Sequence, residues 1–199
     1  MPHAALGCRT HSGWAAMVAL SGPADSPQVI DRRRIEICDS SIRGSKQPYH
    51  TAEPMEFPEA EAFLTRCTVA TSRLAMEALK NEMDAVQARG YKPVSFGITL
   101  SSARALPGLK AILESHALIH TAEGEFYRAE LMKAAKNCGL AVTSIKEREL
   151  FEQASARFRT PLERLERRIA DLGKPLGPPW SQDQKYAALV AWLALSGAA

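Results

Sequence analysis

The stretch Leu6-Gly7-Cys8-Arg9-Thr10-His11-Ser12-Gly13-Trp14-Ala15 begins the fold with two apolar runs on either side of a turn. The runs cover residues 6–9 and 14–20, and the turn-rich tetrad between them predicts a β-hairpin. A turn rich in Gly and Pro follows, and the β-branched residues of 29–38 then predict a third strand. The N-terminal part is therefore expected to be a three-strand antiparallel meander.

Length and composition limit the class of protein. The chain has 199 residues, 46% of them hydrophobic, which is enough for a single domain over 1–199. Its 25 Lys and Arg against 22 Asp and Glu give a net charge of +3, too small for an obligate polybasic nucleic-acid or membrane binder, although a local basic patch remains open. There is no secretory leader pattern and no run of roughly 18 apolar residues. We therefore expect a cytoplasmic protein without a membrane segment.

The remaining pattern alternates between helices and strands. Residues 39–58 have no sustained period and predict a long loop. Capping boxes at Thr160-x-x-Glu163 and Ser181-x-x-Gln184 predict two helix starts. The other predicted elements are a helix over 59–89, a strand over 94–100, a helix over 107–137, a strand over 140–145, helices over 146–158 and 161–172, a linker over 173–180 and a C-terminal docking helix. The fold class is therefore α/β, with a mixed five-stranded sheet flanked by helices.

This element order resembles the ribonuclease H-like superfamily, and residues 6–15 look like the first hairpin of its Holliday-junction-resolvase-like (RuvC-like) members. The resemblance implies two metal ions, Mg²⁺ or Mn²⁺, which catalyse phosphoryl displacement. They are held by carboxylates from the first strand, from the end of the fourth strand or the following helix, and from the last helix. Here Arg9 stands at the first position, and Thr99-Leu100-Ser101-Ser102 supplies no acid at the second. Asp183 alone matches by location, as a metal ligand or as a contact to the helix dipole.

A second group of polar residues lies in the helix predicted over 107–137. At 100° per residue, His116, His120 and Glu123 fall within about 60° of each other, on the face that also holds apolar residues. Buried imidazoles and carboxylates must be paired, so we expect these three side chains to lie within hydrogen-bond reach of one another. They predict either a structural network or a catalytic or metal site, in which the three side chains supply three metal ligands or act as an orienter, a base and an acid, with Glu123 as the metal ligand singled out.

Two further histidines and three arginines complete the candidate site. His11 in the first turn and His50 in the predicted loop are expected to approach the same sheet edge, His11 as a catalytic residue and His50 as a phosphate contact; the alternative is that each is simply solvated. Arg9, Arg32 and Arg34 are the other predicted phosphate or nucleic-acid contacts, and for Arg32 and Arg34 an exposed charged strand face is the alternative.

Two functions remain open from the sequence. The first is a hydrolase that binds nucleic acid or a phosphate-bearing ligand at an atypical His/Glu site, as a metal-dependent nuclease or phosphoester hydrolase. The second is a noncatalytic scaffold or interaction protein on the same fold, in which Arg9 replaces the metal-binding acid. The sequence does not choose between them, and it does not set the oligomeric state.

Overall fold

The N-terminal meander is present in the computed structural model, which describes residues 1–101 and 105–197. Strands β1 (His3–His11) and β2 (Trp14–Ser21) pair antiparallel, with Arg9 opposite Ala16. Only Ser12 and Gly13 separate them, and Gly13 has a φ of 85°, which suits glycine in a two-residue hairpin turn. Strand β3 (Gln28–Glu36) pairs antiparallel with β2. The predicted meander is confirmed.

The sheet is completed by two strands that run parallel to β1. Strand β4 (Lys92–Leu100) pairs with β1, and β5 (Ala141–Lys146) pairs with β4, which gives the order β3-β2-β1-β4-β5. The predicted α/β class with a mixed five-stranded sheet is confirmed. The ends of β1, β4 and β5 meet at one edge of the sheet, because parallel strands share their direction.

Helices cover both faces of this sheet. Helices α2 (Phe57–Ala88) and α4 (His116–Asn137) form one hydrophobic core with the sheet. The helices α5 (Leu150–Phe158), α6 (Leu162–Leu172) and α7 (Gln182–Gly197) form the other core. No helix in the described part of the chain is long and apolar enough to cross a membrane.

Two glycines allow α7 to lie directly on the sheet. A Cβ atom on Gly7 of β1 would collide with the carbonyl oxygen of Ala187, and one on Gly97 of β4 would collide with the carbonyl oxygen of Val190. Because both obstacles are backbone atoms, neither can move aside as a side chain would. The start of α7 is thereby held near the end of β1.

Two predicted elements differ from those of the structure, one because helix replaces part of a predicted loop and one because a predicted helix is interrupted. Residues 39–58 are not a loop throughout: they hold α1 (Pro48–Ala52), with a proline in its first turn, and the start of α2. The helix predicted over 107–137 is two helices, α3 (Leu109–Leu113) and α4, because Ser115 has an extended backbone.

The two predicted capping boxes have different outcomes. The Ser181 amide donates to Gln184 Oε1 over 2.7 Å, and the Asp183 amide donates to the Ser181 hydroxyl over 3.2 Å, so the box before α7 is formed. The Thr160 hydroxyl instead donates to the Phe158 carbonyl, and Pro161 takes the N-cap position of α6. The segment 173–180 between α6 and α7 holds one 3-10 turn, Lys174–Leu176.

Candidate functional site

Arg9, near the end of β1, is the centre of an ion cluster at the sheet edge. Its Nε and Nη2 donate to the two oxygens of Glu147 over 3.0 and 2.6 Å, and its Nη1 donates to Asp183 Oδ1 over 2.5 Å. His11 Nε2 lies 2.9 Å from the same Asp183 oxygen. Glu147 directly follows β5, and Asp183 lies in the first turn of α7. We call Arg9, His11, Glu147 and Asp183 the arginine cluster.

The arginine cluster neutralises its own carboxylates. Partial burial acts to raise the pKa of Asp183, but hydrogen bonds from His11 and Arg9 outweigh it, and the pKa is lowered. The Arg9 guanidinium lies between Glu147 and Asp183, where a metal ion would have to lie to be bound by both carboxylates. A pair of Mg²⁺ or Mn²⁺ ions does not fit this set of side chains, because those ions require several free oxygen ligands. The predicted role of Asp183 as a metal ligand therefore has no support in this geometry.

A second arginine lies beside this cluster, at the end of β4. Arg128 of α4 is buried and donates from Nε to the Thr99 carbonyl over 2.9 Å, and its Nη1 lies 3.4 Å from the Ser101 hydroxyl. Ser102 lies outside the described residues. The sequence analysis missed both Arg128 and Glu147. For Glu147 the signal was available, since an acid directly after a parallel strand lies at the same sheet edge as Arg9.

A separate group of histidines forms where α1 meets α4. His116 Nε2 and His120 Nε2 are 3.1 Å apart, and the His50 ring centroid lies 4.7 Å from that of His120 and 5.8 Å from that of His116. His116 Nδ1 lies 3.4 Å from Glu53 Oε1. We call His50, His116 and His120, with Glu53 and Glu123, the histidine cluster.

Glu123 anchors this cluster from the protein interior. Only 7% of its surface is exposed, and its Oε2 accepts hydrogen bonds from the Tyr49 amide (3.1 Å), the His50 amide (3.1 Å) and His50 Nδ1 (2.8 Å). Burial raises the pKa of Glu123, and the hydrogen bonds from His50 and Tyr49 act against that increase. The carboxylate thus fixes both the backbone of α1 and the orientation of the His50 ring.

The expectation for His116, His120 and Glu123 is right in one contact and wrong in the others. The two histidines do bond to each other, but Glu123 bonds to His50 rather than to either of them. The physical reason is the packing of α1 against α4: Glu123 lies on the same side of α4 as the two histidines, but it is buried against α1 and accepts from the Tyr49 and His50 amides, whereas His116 and His120 are exposed. The apolar face expected from 107–137 is also interrupted, because Leu109 and Leu113 belong to α3.

His11 and His50, the two histidines predicted outside the helices, belong to different clusters. His50 joins the histidine cluster, whereas His11 belongs to the arginine cluster and stacks on Trp14, with ring centroids 4.3 Å apart. Within residues 1–101 and 105–197, no hydrogen bond or ion pair joins the two clusters. The expected meeting of His11 and His50 at one site is therefore wrong. Glu53, three residues after His50, is a further member that the sequence analysis missed.

Arg32 and Arg34 have partners of their own. Arg32 donates to backbone carbonyls of the segment 173–180, including Leu176 over 3.1 Å and Gly177 over 3.0 Å, so it ties that segment to β3. Arg34 pairs with Glu36 over 2.5 Å, and its guanidinium carbon lies 3.9 Å from the centre of the Trp14 ring. Arg9 is likewise occupied by carboxylates. Of the predicted phosphate contacts on strands, Arg34 keeps the largest exposed surface, with 56% of its side chain accessible.

Comparison with known proteins identifies the fold. No family model and no curated protein matches the sequence. The structure of Thermus thermophilus RuvC in complex with Holliday junction substrate matches with a TM-score of 0.51 and 9% identity, over 96% of this chain and 90% of that one. A second Thermus thermophilus RuvC structure matches with a TM-score of 0.50 and 11% identity, over 95% and 91% of the two chains. The fold is ribonuclease H-like, of the RuvC type.

A more distant match is a Ppx/GppA family member from Aquifex aeolicus. Its TM-score is 0.37 at 11% identity, over 79% of this chain and 40% of that one. The ribonuclease H-like assignment rests on the two RuvC structures. At these identities the match establishes the fold of the chain, and its activity has to be argued from its own side chains.

Proposed function

We propose that this protein binds a phosphate-bearing ligand, with nucleic acid as the leading class, and hydrolyses it at the histidine cluster. The observation that carries the proposal is the buried Glu123 bound to His50, beside the exposed rings of His116 and His120. A carboxylate that orients an imidazole next to further imidazoles is an arrangement suited to proton transfer.

The orientation of His50 makes one of its nitrogens available. An ionised carboxylate only accepts hydrogen bonds, so His50 Nδ1 donates to Glu123 and the lone pair of Nε2 is free for chemistry. In ester hydrolysis, a bond forms between a water oxygen and phosphorus, and the bond from phosphorus to the leaving oxygen breaks. One group accepts the proton that water loses, and another protonates the leaving oxygen. Three adjacent imidazoles supply enough groups for both transfers.

The nucleic-acid part of the proposal draws on the fold and on the sequence. The RuvC structure with the same fold holds a Holliday junction substrate. Arg9 lies between the two carboxylates at the sheet edge and pairs with both, so they are not available to hold two metal ions. A reaction in this protein would therefore differ from two-metal phosphoryl displacement. The histidine cluster is therefore the better candidate for the chemistry.

The test is a hydrolysis assay on three substrates: bis-p-nitrophenyl phosphate, a labelled DNA duplex and a labelled four-way junction. We expect cleavage by the wild type, and a loss on the order of 10²- to 10⁴-fold in His50→Gln. The matched control is His11→Gln, which removes an imidazole from the arginine cluster and should keep the activity. Equal activity in wild type and His50→Gln contradicts the proposal.

A noncatalytic scaffold is the second candidate, and the arginine cluster is the observation that favours it. Arg9 occupies both carboxylates at the sheet edge with its own ion pairs, as expected of a fold that binds a partner without catalysis. This candidate predicts that the four-way junction binds equally well to wild type and His50→Gln and that neither protein cleaves any of the three substrates.

A further inference from the structure

We infer that His50, His116 and His120 form a binding site for a single transition-metal ion of the zinc type. One possible ligand atom from each of the three side chains lies within 4.8 Å of the others. The rings also meet edge to face: the angle between the ring planes is 82° for His116 and His120, and 86° for His50 and His116. Such an arrangement lets three nitrogens point to one common centre.

The closest pair already has the spacing of two ligands on one ion. Zinc binds imidazole nitrogen at about 2.0 to 2.1 Å with tetrahedral angles, which places neighbouring ligand atoms about 3.3 to 3.4 Å apart. His116 Nε2 and His120 Nε2 are 3.1 Å apart. An ion could therefore replace the hydrogen bond between these rings with only a small movement of α4 side chains.

Two carboxylates orient the rings from behind. Glu123 accepts from His50 Nδ1 over 2.8 Å, and Glu53 lies 3.4 Å from His116 Nδ1. In both rings the carboxylate holds Nδ1 and leaves the Nε2 lone pair for an ion, which is the arrangement that metal-binding histidines generally have. The two negative charges also balance the charge of a divalent cation, so the site is suited to bind one.

The type of donor indicates the type of metal. Three imidazoles suit Zn²⁺, Cu²⁺ or Ni²⁺, whereas Mg²⁺ and Mn²⁺ prefer oxygen ligands. The site thus differs from the Mg²⁺ or Mn²⁺ expected from the family resemblance. His116 has 66% of its side chain exposed, so a fourth coordination position would face solvent. Three protein ligands with an open fourth position are typical of catalytic rather than structural zinc sites.

This inference names a cofactor for the site of the proposed function, and its catalytic meaning rests on that proposal. Zinc lowers the pKa of a bound water and so supplies a nucleophile at neutral pH. With the ion bound, His50, His116 and His120 would hold it rather than transfer protons themselves, so the ion would activate the water in place of a free imidazole, and Glu53 and Glu123 would be positioning residues. Binding of the ion itself is independent of any substrate.

The experiment is a titration of the tag-free 199-residue chain with Co²⁺, a spectroscopic substitute for Zn²⁺, followed by Zn²⁺ competition against a chromophoric chelator. We expect one ion per chain, with the visible absorption of tetrahedral Co²⁺. His120→Gln should abolish this signal, and Glu123→Gln should weaken affinity on the order of 10- to 100-fold. His116 and His120 are exposed, so substitutions there should not prevent folding, which circular dichroism would check.

The matched controls are His3→Gln and His11→Gln, which change the two histidines outside the cluster and should bind Co²⁺ as the wild type does. Absence of stoichiometric binding, or equal binding by wild type and His120→Gln, overturns the inference. If Co²⁺ binds as expected and no phosphoester is cleaved, the metal site stands and the proposed function fails. If protein that binds no metal ion cleaves phosphoesters at the wild-type rate, the proposed function stands and the metal site fails.

Discussion

The arginine cluster and the histidine cluster both combine carboxylates with nitrogen-bearing side chains, but they arrange the two in opposite ways. At the sheet edge, two carboxylates face a guanidinium, so positive charge is already present in the fold. In the histidine cluster the carboxylates lie behind the rings, and the Nε2 atoms of His116 and His120 face each other. The comparison shows that the position of the acids decides whether the polar residues satisfy one another or leave nitrogen atoms available to bind a ligand.

The two clusters also depend on different parts of the fold. The arginine cluster joins β1 and the residue after β5 to the start of α7, whereas the histidine cluster joins α1 to α4. Helix α7 packs in the core on one face of the sheet and α4 packs in the core on the other. Each cluster can therefore be disturbed without directly altering the other.

The largest effect is expected from Gly7→Ala, which acts on the arginine cluster through α7. The new methyl group collides with the Ala187 carbonyl, so α7 must move away from β1. We expect a loss of about 3 kcal/mol in the free energy of unfolding, measured by denaturant titration. Because α7 carries Asp183, its contact with Arg9 should weaken as well, while the folded protein keeps its Co²⁺ binding.

Gly108→Ala is the control for this substitution, since the added Cβ has no atom within 4 Å among the described residues other than its chain neighbours, and the backbone φ is −61°. Its effect should stay within about 0.5 kcal/mol. Similar losses for the two variants would show that the close approach of α7 is not what Gly7 provides.

Arg9→Met should have an intermediate effect, because it leaves the carboxylates of Glu147 and Asp183 without their main partner. We expect a loss of about 2 kcal/mol at neutral pH, in the range for hydrogen bonds to charged groups. Asp183 has a pKa below its ordinary 3.8, so its contribution is present above that pH and is lost as the pH falls through the lower value of the folded state. Below that pH, wild type and variant should converge.

The matched control is Arg148→Met, which removes an exposed arginine whose Nε lies 3.6 Å from Glu149. An exposed pair of this kind contributes about 0 to 1 kcal/mol. A difference between wild type and Arg9→Met that stays constant down to acid pH would contradict the ionic role of Arg9.

Arg34→Ala should have the smallest effect. Arg34 is mostly exposed, and it lies over Trp14, which in turn stacks on His11 of the arginine cluster. Loss of the cation-π contact should cost about 0.5 kcal/mol, measured by thermal unfolding. If Arg34 contacts phosphate, as the sequence predicts, the salt dependence of DNA binding should fall by about one charge. An unchanged salt dependence would remove Arg34 from the proposed interface.

Local sequence patterns predicted much of the fold and less of the sites. The meander and the two parallel strands followed from short apolar runs separated by turns, and Ser181 correctly marked the start of α7. Helix α1 was missed because its five residues are too few to show a period. The identity of the histidines as candidates was read from the sequence, but which acid each one bonds to was not.

The sequence alone determined the order of the five strands and the long helices, the ribonuclease H-like topology and the absence of an acid at position 9, because these depend on residue type and on spacing between near neighbours. Tertiary structure decided the pairing of charges. Arg9 meets Glu147 and Asp183 across separations of 138 and 174 residues, and His50 meets Glu123 across 73. Such contacts depend on how the helices pack on the sheet and on one another, and a local sequence period contains no information about either.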